Sequence, residues 1–123
     1  MDKPLGLSYD DFAKLDIRVG TVVSVEAIPK SKKILHLEVN FGMGGGTRTI
    51  LAGIAQAAQY GKVEDGVWKD SCLVGQRVVA VLNLAPRDMF GLTSHGMVLA
   101  SHDETNMVWL VTIGPVPDGA EVQ

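Results

Sequence analysis

Apolar and polar residues alternate along three stretches in the first half of the chain, which is the pattern of strands with one buried face. In the first stretch, residues 17–27, the odd-numbered positions, Val23 among them, fall on the apolar face. The second and third stretches cover residues 34–41 and 47–52, and a short glycine-rich loop joins them. These patterns predict three consecutive strands, the last two forming a hairpin.

The second half of the chain has shorter patterns. Residues 77–84 are apolar at nearly every position, which predicts a strand buried on both faces, and residues 97–101 predict a fifth strand. Between the third and fourth strands, residues 54–60 carry three alanines and predict a short helix. Residues 61–71 are polar and predict a loop, and residues 108–113 predict a final short strand.

The order of these elements predicts an all-β fold, a five-stranded OB-fold barrel with a short helix between strands 3 and 4 and short N- and C-terminal extensions. The chain length fits a single domain, with a core of about 16–102 and flanking extensions at 1–15 and 103–123. In the first extension, Ser8 followed by Asp11 predicts the cap of a helix of about two turns.

Composition supports a globular protein, and charge limits what it can bind. The chain has 14 glycines, which suit the tight turns of short strands. Its 11 Lys and Arg against 14 Asp and Glu give a net charge of −3, so nucleic-acid binding requires a local cationic patch. The single cysteine excludes an intramolecular disulfide, and no apolar run has the length of a membrane span. We expect a cytoplasmic protein without membrane contact.

The residues that could carry catalysis do not form a recognisable site. The histidines at 36, 95 and 102 lack the spacing of a helical metal pair. Ser94, in the sequence GLTSHG, lacks the glycine spacing and the strand-to-helix context of a nucleophile elbow. The glycine loop at 42–46 opens a strand, whereas a dinucleotide-binding loop opens a helix. We therefore expect no enzyme activity, no metal and no cofactor.

Positive charge is concentrated in two predicted loops. Lys30, Lys32 and Lys33 lie between strands 1 and 2, and Arg87 lies between strands 4 and 5. In an OB barrel these loops flank the face on which oligonucleotides bind. Phe90 is an aromatic candidate for stacking beside them. The alternative is an ordinary solvated turn that happens to carry three lysines.

Several separated motifs follow one another along the chain: DIRVG at 16–20, AGIA at 52–55 and NLAPR at 83–87, followed by Met89, Gly91, Ser94, Gly96 and Met97. Together these motifs resemble the tRNA-binding-domain family. That family includes C-terminal domains of methionyl-tRNA synthetases, free-standing dimeric tRNA-binding proteins and CsaA-type export-associated chaperones. The resemblance covers nearly the whole chain.

The resemblance implies a non-catalytic protein that binds folded tRNA mainly through its backbone and shape. It further implies a homodimer, acting alone or assisting an aminoacyl-tRNA synthetase. At the matching positions, Lys33 and Arg87 would pair with phosphate, and Asn83 and Ser94 would donate hydrogen bonds to RNA. Met97 would pack beneath the loop in a supporting role. For Asn83 there is an equally good interpretation, in which its side chain caps the turn that follows Asn83 in the sequence.

The second hypothesis is a CsaA-type export chaperone that binds unfolded polypeptide. Phe90 and Trp68 would then be exposed apolar contacts, and the acidic balance of the chain fits this role. Asp88 and Phe90 occupy loop positions where many members of the family carry Lys or Arg. In the RNA hypothesis, Phe90 stacks on an unpaired base. The sequence does not indicate which tRNA is preferred, because recognition through phosphates and shape leaves no base-reading code.

Overall fold

The structure, a computed structural model, describes residues 2–105 and 107–123. The described residues form two short helices and eleven strands. In chain order these are α1 Tyr9–Ala13, β1 Ile17–Ala27, β2 Leu35–Asn40, α2 Gly42–Gly45, β3 Thr47–Ala52, β4 Gly61–Glu64, β5 Val67–Asp70, β6 Arg77–Val81, β7 Arg87–Met89, β8 Leu92–Ser94, β9 Met97–Val98, β10 Ala100–His102 and β11 Val108–Leu110. Neither helix is long and apolar enough to cross a membrane.

Five antiparallel strands form the central sheet, in the order β3-β2-β1-β6-β9. The sheet curls until its two edges approach each other, so it is a nearly closed barrel. Hydrogen bonds join β3 to the residues just before β9: the His95 amide donates to the Thr49 carbonyl at 2.9 Å, and the Leu51 amide donates to Ser94 Oγ at 3.0 Å. The predicted all-β, five-stranded OB-fold barrel is confirmed.

The interior of the barrel is filled by fully buried apolar side chains, the largest of which are Phe41, Leu35, Leu37, Ile50 and Leu73. Gly20 on β1 also faces this interior. A Cβ at that position would lie 2.7 Å from the Phe41 ring and from a Val39 methyl group. The glycine of the DIRVG motif is therefore required by the close approach of β1 to the packed core.

The first strand departs from the alternation that the sequence predicts. A register shift between Val22 and Ser24 marks a β-bulge. Because the bulge adds one residue, it exchanges the two faces of the strand. Val22 is consequently buried, whereas Val23, which we predicted to lie on the buried face, is 47% exposed. The prediction of one uninterrupted apolar face is wrong at this point.

Before the bulge, the outer face of β1 is covered by the C-terminal extension. Ile17 forms a second apolar cluster with two valines of β6, and Ile113 and Val122 pack against it. The extension also hydrogen-bonds to β1, since the Gly119 amide donates to the Val19 carbonyl at 2.8 Å. This second cluster explains why β6 is buried on both faces, as its apolar pattern predicts.

Three local predictions between the strands are wrong. Residues 54–60 form successive turns instead of a helix, because seven residues give little helical stability and burial of Ile54, Ala57 and Tyr60 determines their path. The polar segment 61–71 contains the β4–β5 hairpin instead of a loop. The segment 83–96 contains a second hairpin, β7–β8.

Three further predictions concern short segments. The glycine loop before β3 contains one helical turn, α2, because glycine permits the positive φ angles of 80° and 63° at its two ends. The N-terminal capping prediction is confirmed, since the Asp11 amide donates to Ser8 Oγ at 3.1 Å and α1 begins at Tyr9, directly after Ser8. The predicted final strand is shorter than expected and consists of β11, which pairs with β10.

Candidate nucleic-acid interface

The loop between β1 and β2 is held in one conformation by a serine. Ser31 Oγ accepts hydrogen bonds from the Lys33 amide at 3.3 Å and from the Ile34 amide at 3.0 Å. The Ser31 amide donates to the Ile28 carbonyl at 2.9 Å. Such serine-based turns fix the backbone locally. The exposed lysine side chains of this loop, Lys30, Lys32 and Lys33, are thus presented from an ordered backbone.

A groove runs along the edge of β3, where the barrel closes, and consists of three adjoining cavities. The first, about 320 Å³, is lined by Lys33, Gly53 and His102. The second, about 220 Å³, shares Gly53 and His102 and adds Met97. The third, about 170 Å³, shares Met97 and adds Arg87. The groove therefore joins the two loops in which the sequence concentrates positive charge, with a cation at each end.

The β7–β8 hairpin supplies the Arg87 end of the groove. Arg87 lies opposite Ser94 in the hairpin register, and Asp88 lies opposite Thr93. The Thr93 hydroxyl donates a hydrogen bond to Asp88 Oδ1 at 2.7 Å. The Asp88 carboxylate, which would repel a phosphate near Arg87, therefore has a partner within the hairpin. The side chain of Arg87 is exposed. The hairpin can present its cation to an anionic ligand.

Phe90 occupies the tip of the same hairpin in a strained conformation. Its φ angle is +53°, and Gly91 follows at +76°. Left-handed backbone is uncommon for bulky residues and costs of order 1–3 kcal/mol. The ring is nevertheless 45% exposed, so burial does not compensate for this cost in the free protein. Because strained backbone clusters at ligand-binding sites, Phe90 is a candidate ligand contact.

Asn83 and Ser94, two of the sequence-predicted donors, are both engaged within the chain. Asn83 Nδ2 donates to the Lys14 carbonyl at 2.6 Å, and Asn83 Oδ1 accepts from the Asp16 amide at 2.8 Å. These partners precede β1 instead of lying in the following turn. Ser94 is buried, and its hydroxyl accepts from Leu51 and donates to the Gly96 carbonyl. Both side chains position the loops that border the groove.

Three residues near the groove escaped the sequence interpretation. Gln56 and His102 line it, but both come from segments whose path depends on tertiary packing. Arg48 on β3 donates to the Leu82 carbonyl at 3.0 Å and to the His95 carbonyl at 3.3 Å, and so ties the closing edges of the barrel together. A cation near the start of a predicted strand was the available signal for Arg48.

Trp68 does not form an exposed apolar contact, so that prediction is wrong. It is buried in the main core, and its Nε1 donates to Asp70 Oδ1 at 3.0 Å. Its position in a hairpin that packs on the barrel, instead of in a loop, is the physical reason. Phe90 is accordingly the exposed member of the two aromatic candidates.

The outer face of β2 and β3 carries a negative charge. Glu38 Oε1 accepts a hydrogen bond from the Thr49 hydroxyl at 2.7 Å and lies 2.7 Å from His36 Nε2. Burial raises the pKa of Glu38, but the hydrogen bonds from Thr49 and His36 lower it by more, so the pKa lies below its ordinary value. A charged carboxylate here disfavours phosphate on the middle of the sheet.

The five-stranded antiparallel barrel defines the class of protein, that of OB-fold barrels. A family model described as "Putative tRNA binding domain" matches residues 17–121. The chain belongs to this family of tRNA-binding domains, as its DIRVG, AGIA and NLAPR motifs predict.

Similar proteins include parts of larger enzymes as well as small proteins. The chain is 38% identical over 117 residues to a methionine–tRNA ligase of Methanoregula boonei, a match covering 95% of this chain and 16% of the ligase. A methionyl-tRNA-synthetase-related protein of Pyrococcus horikoshii has a similar structure, with a TM-score of 0.80 and 31% identity, covering 98% of this chain and 100% of the other. The chaperone CsaA of Bacillus anthracis gives a TM-score of 0.78 and 28% identity, covering 96% and 99%.

Proposed function

We propose that this protein is a non-catalytic tRNA-binding protein that recognises folded tRNA mainly through its backbone and shape. The observation that carries the proposal is the groove with Lys33 at one end and Arg87 at the other, on the barrel of a tRNA-binding family. Phosphate contacts from exposed Lys and Arg supply most of the affinity in such interfaces and are independent of base sequence.

The predicted site residues fall into two roles in this proposal. Lys30, Lys32, Lys33 and Arg87 contact phosphates, and Phe90 stacks on an unpaired base. Asn83 and Ser94 position the bordering loops through the hydrogen bonds described above. Met97, which we expected to pack beneath the loop, is 49% exposed and lines two of the three cavities, so in this proposal it forms an apolar part of the groove. Direct RNA contact thus depends on the exposed cations and not on the engaged amide and hydroxyl.

We further propose that the protein acts in the cytoplasm and assists an aminoacyl-tRNA synthetase. The similar segment of methionine–tRNA ligases supports this role, in which the domain raises the affinity of the enzyme for tRNA without taking part in catalysis. Mixing the protein with a methionine–tRNA ligase lacking such a segment should lower the tRNA concentration needed for half-maximal aminoacylation. An unchanged requirement would argue against assistance and leave tRNA binding itself intact.

A homodimer is part of the same proposal. The N-terminal segment exposes Leu7, which is 75% accessible, together with Tyr9, and the C-terminal part exposes Trp109 and Val111. Large apolar side chains are thus exposed to solvent in the single chain, and a second copy of the chain would cover them. Light scattering at micromolar concentration should give twice the chain mass of 13.1 kDa. A monomer mass throughout that range would contradict the dimer.

The central test reverses the charge at both ends of the groove. Lys33→Glu with Arg87→Glu should abolish retention of bulk tRNA, because two attractive contacts become repulsive. In the parent protein, four phosphate contacts predict a slope of log affinity against log salt of about −3 to −3.6. Lys3→Glu with Lys69→Glu changes the net charge equally on exposed residues outside the groove and should retain binding. An equal loss of tRNA retention in both double variants would mean that binding depends on net charge and not on the groove.

A second candidate function, binding of unfolded polypeptide, is favoured by the similarity to the structure of the chaperone CsaA. The exposed Phe90 and Met97 would then contact apolar peptide side chains. Binding of a reduced, unfolded protein and of bulk tRNA should be compared at about 50 mM salt, where phosphate contacts are strong. Measurable peptide binding without tRNA binding would replace the first function by the second.

A further inference from the structure

A separate cleft lies between the β1–β2 loop and the β4–β5 hairpin. It has a volume of about 450 Å³, which is within the range of small-ligand sites. Ile28 and Pro29 of the loop form one side, and Val63 of the hairpin forms the other. Ala55 and Ala58 close it from the turns that follow β3. The surface between these elements is therefore mainly apolar and recessed.

Two lysines accompany this apolar surface. Lys32 lines the cleft from the loop, and Lys62 lines it from the hairpin. Lys62 Nζ lies 2.9 Å from Glu64 Oε2, but both side chains are mostly exposed, and exposed ion pairs contribute little. The ammonium group of Lys62 has three donors, so it can contact a phosphate beside this carboxylate. The cleft thus combines an apolar recess with two cations.

The cleft is continuous with the groove described above. Gln56 lines both the cleft and the first cavity of the groove. The ordered β1–β2 loop also belongs to both, because Lys32 lines the cleft and Lys33 lines the groove. A chain of phosphates that passes Lys33 can therefore reach the cleft without leaving the surface of the protein.

We propose that this cleft binds one unpaired nucleotide of the RNA held in the groove. The base enters the recess against Pro29, Ala58 and Val63, and its phosphate contacts Lys32 and Lys62. Bases are flat and largely apolar on their faces, whereas phosphate requires cations, so a nucleotide matches both features of the cleft. The inference rests on the proposed RNA-binding function and assigns to the β4–β5 hairpin a role in it.

The test uses adenosine monophosphate as the probe and the backbone amide signals of the full chain as the readout. Titration should shift the amides of Gln56, Ala58 and Val63 in a saturable manner. Adenosine alone and inorganic phosphate alone should each give weaker shifts, since each satisfies only one feature of the cleft. Equal shifts with phosphate alone would overturn the nucleotide proposal in favour of a simple anion contact.

Variants separate the cleft from the groove. Ala58→Trp fills the recess at an exposed position and should remove the shifts caused by adenosine monophosphate. Lys62→Gln should weaken nucleotide binding and lower the salt slope of RNA binding by about 0.7. The matched control is Lys69→Gln, which removes the same charge from the paired position of the hairpin but does not line the cleft. Equal effects of the two lysine changes would overturn the proposal.

Measuring both tRNA binding and the amide shifts caused by adenosine monophosphate distinguishes failure of the cleft proposal from failure of the proposed function. Lys33→Glu with Arg87→Glu should lose bulk tRNA and yet keep the shifts with adenosine monophosphate, because the cleft is intact. Intact tRNA binding with no nucleotide shifts at millimolar concentration would overturn the cleft alone. Displacement of the nucleotide by an unfolded peptide, but not by a single-stranded RNA of four nucleotides, would also overturn it.

Discussion

The two small hairpins, β4–β5 and β7–β8, have the same kind of turn but differ in the backbone strain at that turn. Each turn has two consecutive residues with positive φ, Asp65 and Gly66 at 53° and 75°, and Phe90 and Gly91 at 53° and 76°. Aspartate tolerates this backbone because its short polar side chain forms local hydrogen bonds, whereas phenylalanine does not. The first hairpin is therefore the relaxed one, and the second stores strain at its tip.

The two hairpins also differ in what holds them to the barrel. Trp68 of β5 is buried in the main core, so the first hairpin is attached by a large apolar side chain. The second hairpin is attached through Ser94, whose hydroxyl bonds to the backbone of β3, and it leaves Arg87 and Phe90 exposed. The buried tryptophan thus anchors the first hairpin to the core, whereas the second hairpin has a smaller polar anchor and a strained, exposed tip.

The largest expected effect comes from breaking the anchor of the first hairpin. Trp68→Ala should lower the free energy of unfolding by about 3–5 kcal/mol, because it leaves a cavity in the core. Chemical denaturation monitored by circular dichroism measures the change. Phe90→Ala is the matched control, since the same kind of truncation at an exposed ring should change stability by less than about 1 kcal/mol. Similar losses in both variants would remove the distinction between the hairpins.

An intermediate effect is expected at the anchor of the second hairpin. Ser94→Ala should lower the free energy of unfolding by about 1–3 kcal/mol, because it leaves the buried Leu51 amide without its acceptor. Hydrogen exchange should accelerate at the Leu51 amide more than at amides in the middle of β2. Thr93→Ala, which removes an exposed hydroxyl from the same strand, should cost less. Unchanged exchange at Leu51 would mean that another group replaces the serine.

The sequence predicted the parts of the molecule that depend on regular alternation, and it failed where tertiary contacts decide. Strands β1 to β3 and the apolar β6 follow from their patterns, but the bulge after Val22 has no signal in a run of apolar residues. The β4–β5 hairpin had a signal, the pair Asp65-Gly66, which favours a two-residue turn. The helix expected at 54–60 was wrong because propensity over seven residues is weaker than the burial of Tyr60.

The candidate site was predictable in charge and unpredictable in contacts. Lys33 in the β1–β2 loop and Arg87 at the start of β7 are both exposed cations in the connections between barrel strands, and these connections can be inferred from the strand order. Asn83 accepts a hydrogen bond from a residue 67 positions away, and Ser94 accepts one from a residue 43 positions away, so no local pattern indicates these contacts. The cleft beside the β4–β5 hairpin was invisible for the same reason, since three separate segments form it.

A smaller effect tests the strain at the tip of the second hairpin. Phe90→Gly should raise the free energy of unfolding by about 1 kcal/mol, because glycine adopts the left-handed backbone without strain. It should also lower tRNA affinity about tenfold if the ring stacks on a base. Asp65→Gly is the matched change in the relaxed hairpin and should alter stability by less than about 0.5 kcal/mol. A fall in stability for Phe90→Gly would show that the ring supports the fold.

The smallest effect concerns the sheet outside both hairpins and gives the baseline for the comparison. Because the pKa of Glu38 is lowered from 4.5 in the folded state, its contribution to stability is complete above pH 4.5 and is lost as pH falls through the folded value. Stability of the parent protein should therefore decrease on acidification below pH 4.5 more steeply than that of Glu38→Gln. Glu38 forms hydrogen bonds with His36 on β2 and Thr49 on β3, away from the tip of the second hairpin. The difference in pH dependence between the parent and Glu38→Gln should therefore persist in the Phe90→Gly background. Non-additive pH effects of the two substitutions would mean that strain at the hairpin tip extends into the barrel.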